Sequence, residues 1–318
     1  MAPPLPFSPR RVLVGAPNHR ELVGALKAKR AAIEFRGASA AEVTQAGLDW
    51  AEVFVGFRRP RHLTTLGSVK WVHSTGAGVD PWLAAPALDL AILLTRTSES
   101  FGPMIAEWAI ARVLAFQQQL LELAAAQRET RWAPRDIPRL AGTNALVLGT
   151  GDVGSAVAAS LDALGVKVTG VSRTGRSANS SFSAVHATEA LPRLVGDAHW
   201  IIVTLPDTPA TRGLVSRALL SHCKGAVLLN AGRGSVVDEG AIPEALAKGW
   251  LRGAALDVFE SEPLPHDSPL WRDWRVMVSP HISGSTTIAG AVSGFLECLD
   301  DLEAGRLPRW TVDRTRGY

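Results

Sequence analysis

Short apolar runs alternate with stretches of helical periodicity along the whole chain. An early series of runs predicts five strands, at residues 11–15, 33–35, 53–56, 71–74 and 91–95. A later series predicts six more, at residues 145–149, 166–171, 200–205, 226–230, 254–258 and 276–279. Strands that alternate with helices are typical of parallel sheets, and the two series do not easily share one core. The pattern therefore predicts an α/β protein with two doubly wound parallel-sheet domains.

Two long helical patterns stand apart from the shorter ones between the strands. The first extends from Met104 to about Ala126, with Pro103 near its first turn. The second covers roughly Thr287 to Leu302. We expect both helices to connect the two domains, so that the C-terminal segment returns to the first domain.

Composition limits the classes of protein to which the chain can belong. Its 318 residues are 47% hydrophobic and 20% charged, which is typical of a folded, soluble protein with two domains. A net charge of +3 from scattered basic residues argues against a nucleic-acid surface, and no apolar run suits a signal peptide or a membrane span. Cys223 and Cys298 are too few for a disulfide framework or a structural zinc site. We expect a cytoplasmic protein without a metal, a nucleic-acid partner or a membrane partner.

A glycine-rich turn follows the first strand of the later series. Gly149, Gly151 and Gly154 have the G-x-G-x-x-G spacing, with Asp152 and Val153 between the last two. The first glycine permits a tight turn, the second lets the backbone approach a pyrophosphate, and the third lets the helix pack against the strand. A plain turn without a ligand is the alternative. The strand before the turn and the helical pattern after it favour a dinucleotide site.

The next strand ends in GVSRTGR, where dinucleotide sites usually carry an acid that hydrogen-bonds a ribose hydroxyl. Ser172 takes that position here, and Arg173, Thr174 and Arg176 follow it. Guanidinium groups and hydroxyls bind a 2′-phosphate by charge-assisted hydrogen bonds, whereas an acid would repel it. Ordinary solvated loop arginines are the alternative. The stretch predicts NADP(H) as the preferred cofactor, with NAD(H) possible.

Three later stretches, each at or just beyond the end of a predicted strand, supply one Arg, one Glu and one His: Arg233, Glu262 and His281. Reduction of a 2-keto acid requires a guanidinium that holds the carboxylate and polarises the carbonyl. It also requires an acid such as imidazolium for the carbonyl oxygen, and a neighbouring carboxylate stabilises that cation. Each residue alone also fits a structural role. Together, and after a nucleotide turn, they predict a hydride-transfer site.

Six motifs in order along the chain resemble those of the D-isomer-specific 2-hydroxyacid dehydrogenase family, in particular its glyoxylate/hydroxypyruvate reductases. They are VKWVHSTGAGVD, GTGDVG, LPDTPATRGLV, NAGRGSVVDEGAI, ALDVFESEPLP and SPHISGST. The resemblance covers nearly the whole chain. It implies that Arg233 binds the substrate, that Glu262 pairs with the histidine and that His281 is the acid/base.

The resemblance also implies further ligand contacts. Backbone N–H groups of Ala77 and Gly78 would bind the substrate carboxylate, and Asp257 would contact the nicotinamide amide. Other residues implied to lie at the cofactor are Leu205, Pro206, Ala231 and Gly284. Asp152 and Asp207 replace residues that are usually apolar in those turns. We expect that neither of these two touches the proposed chemistry.

For the architecture, the resemblance implies a flavodoxin-like substrate domain, residues 1–101 and 283–318, and an inserted Rossmann cofactor domain, residues 102–282. It also implies a homodimer. Trp132, in a polar segment before the cofactor domain, would either limit the substrate's tail in the partner's site or pack beneath its own segment. The chain has ten tryptophans, and we expect most of them to be core.

The first functional hypothesis is a reductase that uses NADPH and a small 2-keto acid such as glyoxylate or hydroxypyruvate. A phosphoglycerate-dehydrogenase-like enzyme is the alternative within the family, although the short stretch after His281 leaves no room for a regulatory domain. A formate dehydrogenase is disfavoured, because such relatives pair Gln with the His where this chain has Glu262. The alternative of another class is a nucleotide-sensing protein similar to corepressors, without catalysis.

Overall fold

The computed structural model describes residues 5–60, 62–84, 88–98, 101–177 and 179–317. It forms two compact units, one of Met1–Ser100 with Thr286–Tyr318 and the other of Phe101–Ser285. Each unit contains one parallel sheet with helices packed on it. This confirms the predicted fold class.

The first unit has a sheet of five parallel strands in the order β2-β1-β3-β4-β5. The strands are β1 Arg11–Gly15, β2 Glu34–Ala38, β3 Val53–Val55, β4 Trp71–Ser74 and β5 Leu93–Arg96. Its helices are α1 His19–Lys29, α2 Gln45–Trp50, α3 Asp80–Leu83 and α10 Ile288–Glu303. This is the strand order of flavodoxin-like folds.

Both faces of the first sheet are buried. Because side chains alternate along a strand, Val12 and Val14 of β1 face one core cluster and Leu13 faces the other. Helix α10 covers the first face with a stripe of apolar residues that includes Phe295 and Leu299. Burial on both faces explains why the strands are continuous apolar runs.

The second unit has a sheet of seven parallel strands in the order β12-β11-β10-β9-β6-β7-β8. The strands are β6 Asn144–Leu148, β7 Lys167–Ser172, β8 Ala184–Ala187, β9 Trp200–Val203, β10 Ala226–Asn230, β11 Leu251–Leu256 and β12 Val276–Val278. Its helices are α4 Phe101–Gln117, α5 Leu120–Arg128, α6 Asp152–Ala163, α7 Leu191–Leu194, α8 Arg217–Leu220 and α9 Ile242–Ala247. The strand order reverses between β6 and β9, and such a switch point opens a ligand crevice at the carboxyl ends of the strands.

The structure corrects the predicted long helix of the second unit. It is two helices, α4 and α5, because Gln119 between them has a left-handed backbone with φ of 52°. Side chains of this junction bond the following segment instead: Gln117 Nε2 donates to the Pro138 carbonyl at 2.6 Å, and Gln119 Nε2 donates to the Asp136 carbonyl at 3.2 Å. Helix α4 therefore ends at the two glutamines whose side chains bond the segment that contains Asp136 and Pro138.

Strand β8 was missed by the sequence prediction. It is four residues long, lies at the edge of the sheet and has no fully buried residue. A short, half-buried edge strand has no apolar run from which to predict it.

Candidate active site

The glycine turn after β6 has the geometry that a dinucleotide needs. Gly149 has a backbone φ of 108°, which residues other than glycine rarely adopt. A Cβ on Gly154 would lie 1.8 Å from the Gly149 carbonyl oxygen, so helix α6 packs directly on the turn. A Cβ on Gly151, in contrast, would meet nothing within 4 Å. The turn is tight at its base and open at its middle glycine.

This open middle fits a pyrophosphate. Gly151 is the N-cap of α6, and Asp152, Val153 and Gly154 form the first turn of this twelve-residue helix. The first N–H groups of a helix have no partner within it and carry a partial positive charge. An anion that approaches at Gly151 meets these groups without steric hindrance. The residues present therefore fit the phosphates of a nicotinamide dinucleotide.

The loop after β7 is closed by Ser172. Its hydroxyl accepts a hydrogen bond from the Arg176 N–H at 3.2 Å and donates to the Arg176 carbonyl at 3.1 Å. Arg173 and Thr174 are exposed at the loop's tip, and the Arg176 side chain is exposed beside them. Among the residues that the structure describes, neither guanidinium has a protein partner. Ser172 thus shapes the loop, and the two arginines are available to an anion.

His281 and Glu262 form a hydrogen-bonded pair. The His281 Nδ1 lies 2.8 Å from Glu262 Oε2, and because the carboxylate accepts, Nδ1 donates. The other carboxylate oxygen of Glu262 accepts from the Phe259 N–H at 3.1 Å, which orients the carboxylate. His281 is 45% exposed through its side chain and Glu262 is 38% exposed. The pair leaves His281 Nε2 for a substrate.

Arg233 lies in a turn between Gly232 and Gly234, and each of these glycines packs closely against another loop. A Cβ on Gly232 would lie 2.7 Å from the Leu205 carbonyl oxygen, and a Cβ on Gly234 would lie 1.9 Å from the Phe259 carbonyl carbon. The turn therefore contacts both the loop after β9 and the segment that holds Glu262. This packing brings the Arg233 and Glu262 loops together.

The loop after β9 contains Leu205, Pro206 and Asp207, half-buried beside that turn. Asp207 makes a bidentate ion pair with Arg212, with Oδ1 at 2.7 Å from Nε and Oδ2 at 2.9 Å from Nη2. The hydrogen bond from Arg212 lowers the pKa of the Asp207 carboxyl, and the charge of Arg233 acts in the same direction. That Asp207 does not touch the chemistry itself stays a prediction.

Asp257 is completely buried just after β11. Its carboxylate accepts from Ser279 Oγ at 2.6 Å, from the Ile282 N–H at 3.0 Å and from the Ser283 N–H at 2.8 Å. Its partners are thus the residues around His281. The contact of Asp257 with a nicotinamide amide stays a prediction. Ala231 is buried, and its contact with the cofactor also stays a prediction.

Gly284 follows this loop and packs closely against α4. A Cβ there would lie 3.1 Å from atoms of Ile105 and Phe101. Its close contacts are therefore with a helix, and its predicted position in a nicotinamide pocket remains a prediction.

Glu239 was missed by the sequence analysis. Burial raises the pKa of its carboxyl, and the charges of Glu260 and Glu262 act in the same direction. It accepts a hydrogen bond from the Glu260 N–H, which holds the segment leading to Glu262. An acid in a stretch of loop sequence gives no signal of this role, since only the fold brings it to Glu260.

Ala77 and Gly78 belong to the first unit, in the turn after β4. The Ala77 carbonyl accepts from Arg96 Nη1 at 3.1 Å, and Ser74 Oγ donates to the Gly76 carbonyl at 3.3 Å. Within the described part of the chain, the N–H groups of Ala77 and Gly78 have no hydrogen-bond acceptor. Two adjacent free N–H donors suit a carboxylate.

Trp132 is 95% exposed, so the alternative that it packs beneath its own segment is wrong. Most tryptophans do belong to the core: Trp71, Trp82, Trp108 and Trp200 are buried. Trp50, Trp250 and Trp310 are half-buried and pack against the core clusters. Over the described residues, no helix is long and apolar enough to cross a membrane, and no cluster of possible metal ligands occurs.

Comparisons with known proteins agree on one family. The model for D-isomer specific 2-hydroxyacid dehydrogenase, NAD binding domain, matches residues 110–283. A glyoxylate/hydroxypyruvate reductase A from Serratia proteamaculans is 34% identical over 269 residues, which cover 82% of this chain and 86% of the relative.

Two solved structures are similar over almost their whole length. A D-isomer specific 2-hydroxyacid dehydrogenase from Xanthobacter autotrophicus Py2, in complex with NADPH and MES, is 33% identical with a TM-score of 0.91, covering 98% of this chain and 100% of that one. An NADPH-dependent glyoxylate/hydroxypyruvate reductase from Sinorhizobium meliloti, in complex with NADP and sulfate, is 29% identical with a TM-score of 0.86, covering 97% and 99%.

Proposed function

The chain belongs to the D-isomer specific 2-hydroxyacid dehydrogenase family, and we propose that it reduces glyoxylate, hydroxypyruvate or a similarly small 2-keto acid with NADPH. Its relatives are NAD(P)-dependent oxidoreductases, and this chain is likewise an oxidoreductase with a nicotinamide cofactor. The substrate and the preference for NADPH are the proposed part. The observation that carries the proposal is the His281–Glu262 hydrogen bond of 2.8 Å beside the Arg233 turn.

The proposed mechanism divides the work among these three side chains. Arg233 binds the substrate carboxylate, for which a planar guanidinium is suited. His281 Nε2 donates a proton to the carbonyl oxygen as C2 receives hydride, which the nicotinamide supplies when bound. Glu262 accepts from Nδ1 and places its carboxylate beside the ring, and Nε2 holds the proton that is transferred. The half-exposed ring then regains its proton from solvent.

The preference for NADPH rests on the loop closed by Ser172. Ser172 stands where an acid would repel a 2′-phosphate, and the exposed guanidinium groups of Arg173 and Arg176 have no partner among the described residues. Two similar structures that carry NADPH or NADP support the preference. Two charge-assisted contacts of about 1.5–3 kcal/mol each correspond to at least tenfold in the ratio of cofactor efficiencies.

A steady-state screen tests the proposed reaction. The purified protein is assayed with glyoxylate, hydroxypyruvate and longer 2-keto acids, each with NADPH and with NADH, by the loss of cofactor absorbance. We expect the highest kcat/KM with a short acid and NADPH. His281→Ala should lose about 10²–10⁴-fold in kcat while still binding NADPH. If wild-type protein binds NADPH but reduces none of these acids, the proposal is wrong, and the nucleotide-sensing alternative is favoured.

The cofactor preference has its own test. Replacing Ser172 by Asp and Arg173 by Ala together should reverse the preference, because the new acid repels the 2′-phosphate and binds the ribose hydroxyls of NADH. Arg193→Ala, on the surface of α7, serves as a control for loss of a basic charge. Equal efficiency of wild-type protein with both cofactors would disprove the preference.

Activity on a phosphorylated hydroxy acid would favour the phosphoglycerate-dehydrogenase-like alternative. The same screen, run in the oxidative direction with 3-phosphoglycerate, distinguishes the two. A structure of phosphoglycerate dehydrogenase from Lactobacillus plantarum is 32% identical but superposes less well, with a TM-score of 0.58. Its sequence identity is similar to that of the reductases, so the oxidative assay decides between the two functions.

We also propose a homodimer in which Trp132 reaches the partner's substrate site. The almost fully exposed indole supports this, since a large apolar surface in water favours a covered state. Light scattering after size exclusion should give a dimer. Trp132→Ala should lower the efficiency ratio of glyoxylate to a longer keto acid several-fold, without a change in NADPH affinity. A monomer, or an equal effect on all substrates, would contradict this role.

A further inference from the structure

A chain of buried hydrogen bonds connects helix α4 to the loop that carries His281. Trp108 Nε1 lies 3.0 Å from Ser279 Oγ, and Ser279 Oγ lies 2.6 Å from Asp257 Oδ1. Trp108 is 6% exposed, Ser279 is 6% exposed and Asp257 is fully buried. Neither Trp108 nor Ser279 has a part in the mechanism proposed above.

The direction of this chain follows from the chemistry of its groups. An indole N–H only donates, and a carboxylate only accepts. Ser279 therefore accepts from Trp108 and uses its single hydroxyl hydrogen to donate to Asp257. Each of the three groups depends on its hydrogen-bond partner, because burial of a polar group without a partner lowers the stability of the folded state. The hydroxyl of Ser279 is thus held at both ends.

Asp257 in turn holds the backbone on both sides of His281. Its carboxylate accepts from the N–H groups of Ile282 and Ser283, and its carbonyl accepts from the His281 N–H at 2.8 Å. His281 has a φ of 55°, in the left-handed region that a residue other than glycine adopts at a cost. Contacts from Asp257 therefore maintain an unfavourable backbone conformation at the acid/base residue.

Arg112 completes the anchor on α4. Its guanidinium carbon lies 4.8 Å from the centre of the Trp108 ring, in a cation–π contact. Burial lowers the pKa of the Arg112 guanidinium, and the negative charge of Asp257 opposes this. The indole is thus fixed by its stacking partner on one side and by its hydrogen bond to Ser279 at its edge.

We propose that Trp108 is a positioning residue for His281, acting through the Ser279–Asp257 hydrogen bonds. The inference deepens the proposed function and rests on it. Loss of the indole N–H loosens Ser279 and, through it, the carboxylate that holds the His281 turn. The position of His281 Nε2 relative to the carbonyl oxygen then becomes less defined, and proton transfer slows. The Gly149–Gly154 turn, which fits the cofactor's phosphates, has no part in these hydrogen bonds, so most of the cofactor affinity is kept.

A matched pair of variants tests this role. Trp108→Phe removes the N–H and keeps an aromatic ring beside Arg112. Trp200→Phe is the control, because Trp200 is also a buried indole that donates to a hydroxyl, Thr143 Oγ1, at 3.0 Å. It also has a stacked arginine, Arg252, at 4.7 Å. The two substitutions remove the same kind of contact, but only one of them reaches the His281 loop.

Three measurements are made on each purified protein: kcat and KM with the best keto acid of the screen, NADPH affinity by fluorescence without substrate, and the solvent deuterium isotope effect on kcat. For Trp108→Phe we expect kcat to fall about three- to tenfold, equivalent to one hydrogen bond. The isotope effect should rise, because proton transfer limits the rate more strongly. NADPH affinity should change less than kcat, because the glycine turn is untouched, and Trp200→Phe should keep both kcat and the isotope effect.

Variants at Ser279 keep the test valid if Trp108→Phe does not fold. Ser279→Ala should lower kcat and raise the isotope effect, whereas Ser279→Thr, which retains a hydroxyl, should largely restore both. In the double variant with Trp108→Phe, the loss should equal that of Ser279→Ala alone, because both changes break one chain.

The outcomes separate this inference from the function on which it rests. If wild-type protein reduces no keto acid, the proposed function has failed. If wild-type protein turns over and the Trp108 and Ser279 variants match the Trp200 control in kcat and isotope effect, the positioning role is wrong. Independent, additive losses from the two positions would also overturn it.

Discussion

His73 should make the first unit sensitive to mild acid. This histidine is in β4, directly before the turn that contains Ala77 and Gly78, and it is fully buried. Its Nδ1 lies 2.8 Å from Thr95 Oγ1 and its Nε2 lies 3.0 Å from Thr97 Oγ1. Burial lowers the pKa of the His73 imidazole from 6.5 to about 3. The folded protein therefore keeps the ring neutral at a pH where the unfolded chain protonates it.

The size of the effect follows from this difference in pKa. Above pH 6.5 neither state binds the proton, so His73 makes no pH-dependent contribution. Below that value the unfolded state alone gains it, and the free energy of unfolding falls by about 1.4 kcal/mol per pH unit. The fall ends near pH 3, where the folded state also protonates. At about pH 5 the loss should be about 2 kcal/mol.

Hydrogen exchange measures this loss in the right part of the molecule. Because two units can unfold separately, a global melting curve does not report on β4. We propose to follow exchange of β4 and β5 peptides by mass spectrometry at about pH 7.5 and about pH 5, corrected for intrinsic rates. The control is His73→Gln, whose amide hydrogen-bonds hydroxyls but does not titrate.

The comparison between the two proteins isolates the histidine, since their carboxyl groups are the same. Wild-type protection should fall by about 2 kcal/mol more than that of the variant over this pH range. If the two proteins lose protection equally, His73 does not remain neutral in the folded state and the reasoning is wrong.

Three further predictions concern the second unit. Glu262→Gln keeps an acceptor for the Phe259 N–H but removes the charge beside His281, so kcat should fall about tenfold or more; unchanged steady-state kinetics would exclude the pair from the mechanism. Asp207→Asn removes a negative charge near Arg233, so KM for the keto acid should fall about two- to threefold at low salt and less at high salt; a higher KM would contradict this. Glu239→Gln removes a carboxyl whose pKa is raised by burial, which destabilises the folded state as pH rises above the ordinary value. The variant should therefore resist urea better than wild type at neutral pH but not at about pH 4, and the reverse order would refute the assignment.

Much of the fold was predictable because its signals are local. Continuous apolar runs such as Ala226–Asn230 identify strands buried on both faces, and the structure has this strand at the predicted bounds. Strand β8 and the break at Gln119 were not predictable, because an edge strand has little apolar character and the break depends on bonds to a segment some twenty residues away.

The candidate site also has features that the sequence predicts and features that it does not. The roles of Gly149 and Gly154 follow from spacing, because a tight turn and close helix packing each exclude a side chain. The electrostatic link of Asp207 to Arg233 was not predicted, because a residue's charge partners depend on which loops the fold packs together. Exposure of Trp132 was likewise not evident from its polar neighbours.

The sequence by itself determined the class of the fold, the family and the residue types available for the chemistry, because apolar periodicity and glycine spacing act over a few residues. Only the tertiary structure decided which of these residues act on one another. Trp108 and Ser279 are 171 positions apart, and no local pattern connects them. Their hydrogen bond forms because α4 packs beside the end of the sheet, where the burial of both partners makes an unsatisfied N–H or hydroxyl costly.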